Sequence, residues 1–175
     1  MSNYIVDVEA DGPIPPKYSM VNFGVVKVTR DLNQTFYGET KPISSEYITE
    51  ALNVSGFSRK QHLTFDDPKK VFSDFADWLD ETSKGRPIFW SDNVAFDWQW
   101  INYYLHTFAG RNPFGYSGRR IGDAYSGLVN DPFASSKWKK LRKTKHSHHP
   151  VDDAMGNAEA LLEIREKFGY NISLE

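Results

Sequence analysis

The chain contains no cysteine, which excludes disulfides and thiolate metal sites and is compatible with a reducing compartment. It has no basic-apolar-small opening segment and no apolar run approaching the length of a bilayer span, so a soluble, cytoplasmic protein without membrane contact is expected. Internal repeats, linkers and low-complexity tracts are missing too. The 175 residues suffice for one substantial core but not for two ordinary ones, so residues 1–175 are read as a single domain. What is abundant is aromatic, at 15% of the chain, enough to fill a core, to stack bases, or to supply the interface of a homodimer.

The first patterned stretch runs from Tyr4 to Gly12, an apolar, β-branched run that ends in a glycine-proline turn and reads as a buried strand. Asp7 and Glu9 are two apart, a spacing that puts both carboxylates on one face of a strand. Unpaired acids side by side in a buried strand repel one another and are costly to desolvate, and a bound cation is the usual resolution. A solvated edge strand would explain the same pattern, so this pair alone does not decide.

The rest of the chain predicts a mixed α/β sheet. Strands are expected from Ser19 to Thr29 and from Thr35 to Lys41, making an antiparallel meander of three with the first. Pro42 to Lys60 is polar, with short helical pieces expected, including Ser45 to Leu52. Asp67 and Pro68 open an amphipathic helix in which Val71, Phe72, Phe75, Trp78 and Leu79 share a face. Pro87 to Trp90 is a short buried strand, followed by a helix from Val94 to Phe108. A fifth strand is expected over Arg119 to Asp123, with Asp123 capping a helix from Ala124 to Val129, and the last helix spans Pro150 to Phe168. Three early strands followed by alternating strand and helix argue for helices on the faces of one sheet.

Two further stretches carry acids. In Asn93-Val94-Ala95-Phe96-Asp97, Asn93 sits where a helix cap belongs, which puts Asp97 in the first turn at the carboxyl end of a central strand, where ligands collect in α/β sheets. In His146-Ser147-His148-His149-Pro150-Val151-Asp152-Asp153, Pro150 suits a first helical position, so Asp152 and Asp153 again fall in a first turn. His148 and His149 lie in the preceding loop, where an imidazole could take up a proton near neutral pH. Helix-dipole preference accounts for first-turn acids equally well, and a solvated histidine-rich loop accounts for the imidazoles.

Taken together, Asp7-Val8-Glu9, Asn93 to Asp97, and His148 to Ala154 resemble the three exonuclease motifs of the DEDD superfamily, histidine subtype. That group includes proofreading exonucleases, oligoribonuclease and ribonuclease T. Order and internal spacing match, and the motifs bracket nearly the whole chain. The resemblance implies a ribonuclease-H-like fold and stepwise 3'-5' hydrolysis of single-stranded RNA or DNA to nucleoside monophosphates, with two Mg or Mn ions. By position it makes Asp7, Glu9, Asp97 and Asp153 the metal ligands and His148 the general base, because the third motif has its histidine five residues before its aspartate. Pro150 is a departure, standing where the family usually has a small residue, and His149 adjoins the motif histidine. Relatives are often dimers.

The chemistry is consistent with this. Two divalent ions roughly 3.5 to 4 Å apart can activate water, neutralise charge on phosphorus and stabilise the leaving oxygen. Hard carboxylate oxygens suit Mg or Mn. Asp11, Asp92 and Asp152 neighbour the motif acids but are read as bystanders.

For the substrate, Ser136 to Lys145 carries Lys137, Lys139, Lys140, Arg142, Lys143 and Lys145 and no acid, a plausible electrostatic guide for a phosphate backbone or a solvated basic face. By resemblance, Ile14 and the backbone of Ala10 to Gly12 would pack under the terminal base and ribose, and Asn93 is read as a cap that also meets the nucleotide. Phe96, Trp98 and Trp138 are candidates for base stacking, with core an equal reading for Phe96 and Trp98. RNA is slightly favoured as substrate. An endonuclease or phosphodiesterase on the same carboxylates, or a non-catalytic nucleic-acid binding module of the same fold, are the alternatives.

Overall fold

β1, Ser2–Ala10, is buried on both faces and takes the centre of a five-stranded sheet of order β3-β2-β1-β4-β5, in a computed structural model that describes residues 1–174. β2 (Met20–Lys27) runs antiparallel to β1, and β3 (Thr35–Glu39) antiparallel to β2. β4 (Pro87–Ser91) and β5 (Gly118–Arg120) continue the sheet in parallel on the other side. The mixed α/β sheet expected from the sequence, three antiparallel strands and then two parallel, is therefore the observed one.

The two faces of β1 bury different helices. Tyr4, Val6 and Val8 join one cluster with residues of α3 (Pro68–Thr82) and α4 (Val94–Tyr104), among them Phe72, Phe75, Trp100 and Tyr104. Ile5 points the other way, into a cluster with α5 (Ile121–Val129) and α6 (Pro150–Phe168), including Tyr125, Ala158, Leu161 and Ile164. Strand alternation puts Asp7 and Glu9 on this second face, at the end where α6 begins. Gly24 is the β2 partner of Asp7, and a Cβ on it would lie 2.3 Å from the Val151 nitrogen and 2.4 Å from the Pro150 carbonyl carbon. Only glycine lets the first turn of α6 settle onto the sheet there.

Several local expectations are corrected. The helical piece of the long connection lies later, as α1 (Thr49–Val54), because the Ile48 amide is tied to the Asp11 carbonyl at 2.7 Å and Ile48 itself remains extended. A further short helix, α2 (Arg59–His62), follows it, capped by Ser58. α4 ends at Tyr104 and passes into a π-helical turn, Leu105–Ala109. β5 stops at Arg120, since Ile121 is buried in the opening turn of α5. Asp123 lies inside that turn and pairs with the Arg120 guanidinium at 2.8 Å, so it does not cap the helix. Trp138 is fully buried, with its indole N–H donated to the Ser135 carbonyl at 2.9 Å, and is core, not a base-stacking surface. Among the described residues, no helix is long and apolar enough to cross a membrane.

Candidate active site

Three carboxylates from opposite ends of the chain meet beside the carboxyl end of β1. One ligand oxygen from each of Asp7, Glu9 and Asp153 fits within 4.8 Å of the others. Asp153 reaches this point because it is in the first turn of α6, the turn that Gly24 admits. Asp97 comes from the first turn of α4, is buried, and accepts the Val8 amide at 3.2 Å, which ties the second motif to the backbone between the two acids of the first.

Burial pushes the Asp7 carboxyl well above the usual carboxylate range, and the charges of Asp97, Asp153 and Glu9 push it further, with Arg142 opposing. Glu9 is pushed up to about 7, first by burial and then by Asp153. Asp97 is raised chiefly by burial. Arg142 opposes the shift on Asp7 and His146 that on Glu9, but burial and mutual repulsion outweigh both. A set of hard oxygen donors with excess negative charge fits a divalent cation of the Mg or Mn kind.

Asp153 also organises the histidine loop. Its two oxygens accept the amides of Ser147 at 2.9 Å and His148 at 3.1 Å. His148 adopts a left-handed backbone, φ 61°, its side chain is half-exposed, and its Nδ1 stands 3.7 Å from a Glu9 oxygen. His149 turns elsewhere: its ring stacks on Tyr37 at 5.2 Å, and its Nδ1 is 3.9 Å from Asp152. Of the two neighbouring imidazoles, His148 is thus the one beside the acids. His146, to which sequence reasoning gave no role, is there as well, with Nδ1 2.7 Å from an Asp153 oxygen. The His-x-His spacing was visible, but nothing in it distinguished this imidazole from a solvated one.

The bystander acids are accounted for structurally. Asp11 is buried and holds the Ser19 amide at 2.6 Å and the Arg59 guanidinium at 2.7 Å. Asp92 is held by Lys139 at 2.6 Å and Arg142 at 3.4 Å. Asp152 accepts the Ser147 hydroxyl at 3.2 Å.

Glu9 also borders a shallow, largely apolar cleft of about 390 Å³ that includes Ala10, Gly12, Pro13, Ile48, Val54 and Phe96. Ile14 is exposed in the adjoining loop, outside that lining. Asn93 occupies the cap position of α4, but its side chain makes no capping bond. Its carbonyl accepts the Phe96 and Asp97 amides, at 2.9 and 3.0 Å. Trp98 packs edge-on against Phe89 in the core, at 5.1 Å. In the basic run, Lys137 pairs with Asp131 at 2.8 Å and Lys143 with Glu163 at 3.1 Å, while Lys140 and Lys145 are exposed. Arg142 stacks on Trp138 at 4.9 Å and is near enough to Asp7 to draw its pKa down.

Residues 2–165 match the family model described as the 3'-5' exoribonuclease Rv2179c-like domain. The 3'-5' DNA exonuclease Cap18 of Escherichia coli is 34% identical over 163 residues, covering 91% of this chain and 84% of that protein. Among solved structures, cell-death related nuclease 4 superimposes with a TM-score of 0.74 at 15% identity over 95% of this chain, which spans 64% of that one. A full-length 3'-exonuclease gives the same TM-score at 17% identity, with coverage of 95% and 82%. E. coli exonuclease I in complex with a dA16 oligonucleotide gives 0.69 at 11% identity, and this chain, covered over 94%, spans 41% of it. At these identities the structural matches establish a shared fold.

Proposed function

Because the chain belongs to the 3'-5' exoribonuclease Rv2179c-like family, we propose that it is a 3'-5' exonuclease of single-stranded nucleic acid in which Asp7, Glu9, Asp97 and Asp153 hold two divalent ions, Mg or Mn, and His148 is the general base. The observation that carries this reading is the convergence of Asp7, Glu9 and Asp153 within 4.8 Å, with Asp97 tied to Val8 behind them and His148 at their solvent edge. When bound, two such ions neutralise the charge that develops on phosphorus and on the leaving 3' oxygen.

The chain's own groups do the rest. His148, half-exposed and close to Glu9, takes the proton of the attacking water and releases it to solvent. Asp153 keeps that imidazole in reach by holding the amides of Ser147 and His148. The apolar cleft beside Glu9 receives the terminal base and ribose against the backbone of Ala10 and Gly12 and the face of Phe96, with Ile14 at the rim. In this reading the last phosphodiester lies over the neighbouring acids, and cleavage removes one nucleoside 5'-monophosphate at a time. Asn93 meets the nucleotide, and Lys137, Lys139, Lys140 and Arg142 guide the phosphate backbone. RNA is the favoured substrate, supported by the family description, whereas the name of the E. coli relative points to DNA.

The test uses 5'-labelled RNA and DNA strands of one sequence with Mg or Mn. A descending ladder, faster on RNA, is expected. Internal fragments without a ladder would make the protein an endonuclease, and intact strands that remain bound would make it a binding module.

A further inference from the structure

His146 has no part in the reading above, yet its imidazole is built into the edge of the site. Its Nδ1 lies 2.7 Å from Asp153 Oδ2, and its ring stands edge-on to that of His148 at 4.3 Å. One ligand atom from each of His146, His148 and Asp153 fits within 4.8 Å of the others. Asp153 is buried, whereas both imidazoles are half-exposed, so a fixed carboxylate carries two nitrogens reachable from solvent. The loop that presents them is itself pinned by the Ser147 and His148 amides on the same carboxylate. His149 is not part of this arrangement, being stacked on Tyr37.

The donor chemistry separates this trio from its neighbour. Asp7, Glu9 and Asp153 offer only hard oxygens, which suit Mg or Mn. Two imidazoles and a carboxylate suit borderline ions, and zinc in particular takes three protein ligands and leaves a fourth position open. We propose that His146, His148 and Asp153 form a second, overlapping transition-metal site, sharing Asp153 with the carboxylate cluster, that accepts a zinc-class ion and thereby silences the nuclease. The silencing rests on the roles proposed for His148 and Asp153. A nitrogen lone pair given to a metal cannot take a proton from water, and an Asp153 oxygen given to the same ion is withdrawn from the carboxylate cluster.

Cobalt is the probe, because its visible absorption reports low-coordinate nitrogen ligation in the absence of magnesium and substrate. The full chain is expected to develop that absorption on titration with cobalt, and zinc to bleach it. His146→Ala should weaken both ions by at least about 10-fold, the lower end of the cost of losing even an outer-shell partner. His149→Ala should bind as the parent does. In the strand-cleavage assay with magnesium, His146→Ala should cut and should need correspondingly more zinc for inhibition. Equal cobalt affinity in parent and His146→Ala, or weakening by His149→Ala, would overturn the site. If the parent fails to cut while the cobalt results hold, the exonuclease reading falls and the metal site stands. If both proteins cut and zinc inhibits them equally, zinc acts at the carboxylates and the site falls alone.

Discussion

In the proposed reading, Glu9 links proton and cation binding at the candidate site. Its folded pKa is raised from 4.5 to about 7, so in the metal-free protein its contribution to stability is present below 4.5 and is lost as pH rises towards 7. A cation prefers the ionised form and must displace that proton, as must one that reaches the raised carboxyl of Asp7. The rise in Tm caused by Mn is therefore expected to be small at about pH 6 and large at about pH 8, with protons released on binding. Thermal melts with and without Mn across this range check it, and a shift independent of pH would contradict it. At this scale much of the site was legible. Period-two alternation predicted that Asp7 and Glu9 share a face, and the residues before Asp97 and Asp153 marked both as first-turn acids. His146 was not legible, because its role depends on where the Asp153 carboxylate comes to rest.

The placement of α6 decides whether the third motif reaches the first. Gly24 permits it, and the sequence around Gly24 reads as one more buried strand with no sign that a helix terminus lies against it. Close approach between segments this far apart in the chain has no local signature. Gly24→Ala is expected to cost about 1–3 kcal/mol by overpacking, since the new methyl would meet backbone and not a movable side-chain tip. It should also push the start of α6 away from β1 and so reduce the Mn-dependent rise in Tm. A variant as stable as the parent, with the full Mn response, would show that α6 does not depend on this contact. The same reasoning explains the local errors. Trp138 and Asp123 were judged from their neighbours in sequence, but burial against α5 and α6 settled the first and the Arg120 guanidinium the second.

Across the whole molecule, the net charge of −2 hides an acid cluster and a basic run that meet at Arg142, and in the proposed reading a polyanion approaches the first by way of the second. The strand pattern and the three motifs made the fold and the acids legible. The basic run was legible as charge only, because Lys137, Lys139 and Lys143 are drawn into ion pairs that no local pattern shows. Replacing Lys139 and Lys140 by Ala should weaken oligonucleotide binding across sequences and lower the salt slope by about 0.7 per lysine. Binding titrations over a range of salt read this directly, and an unchanged slope would remove both lysines from the path of the strand. The central claim is tested most directly by single-turnover cleavage of a 5'-labelled strand in Mg, comparing the parent with Asp97→Ala, His148→Ala and His149→Ala. The account predicts a 3'-5' ladder from the parent and from His149→Ala, none from Asp97→Ala, and a rate lower by about 10²–10⁴ for His148→Ala. A parental rate in Asp97→Ala or His148→Ala would contradict it.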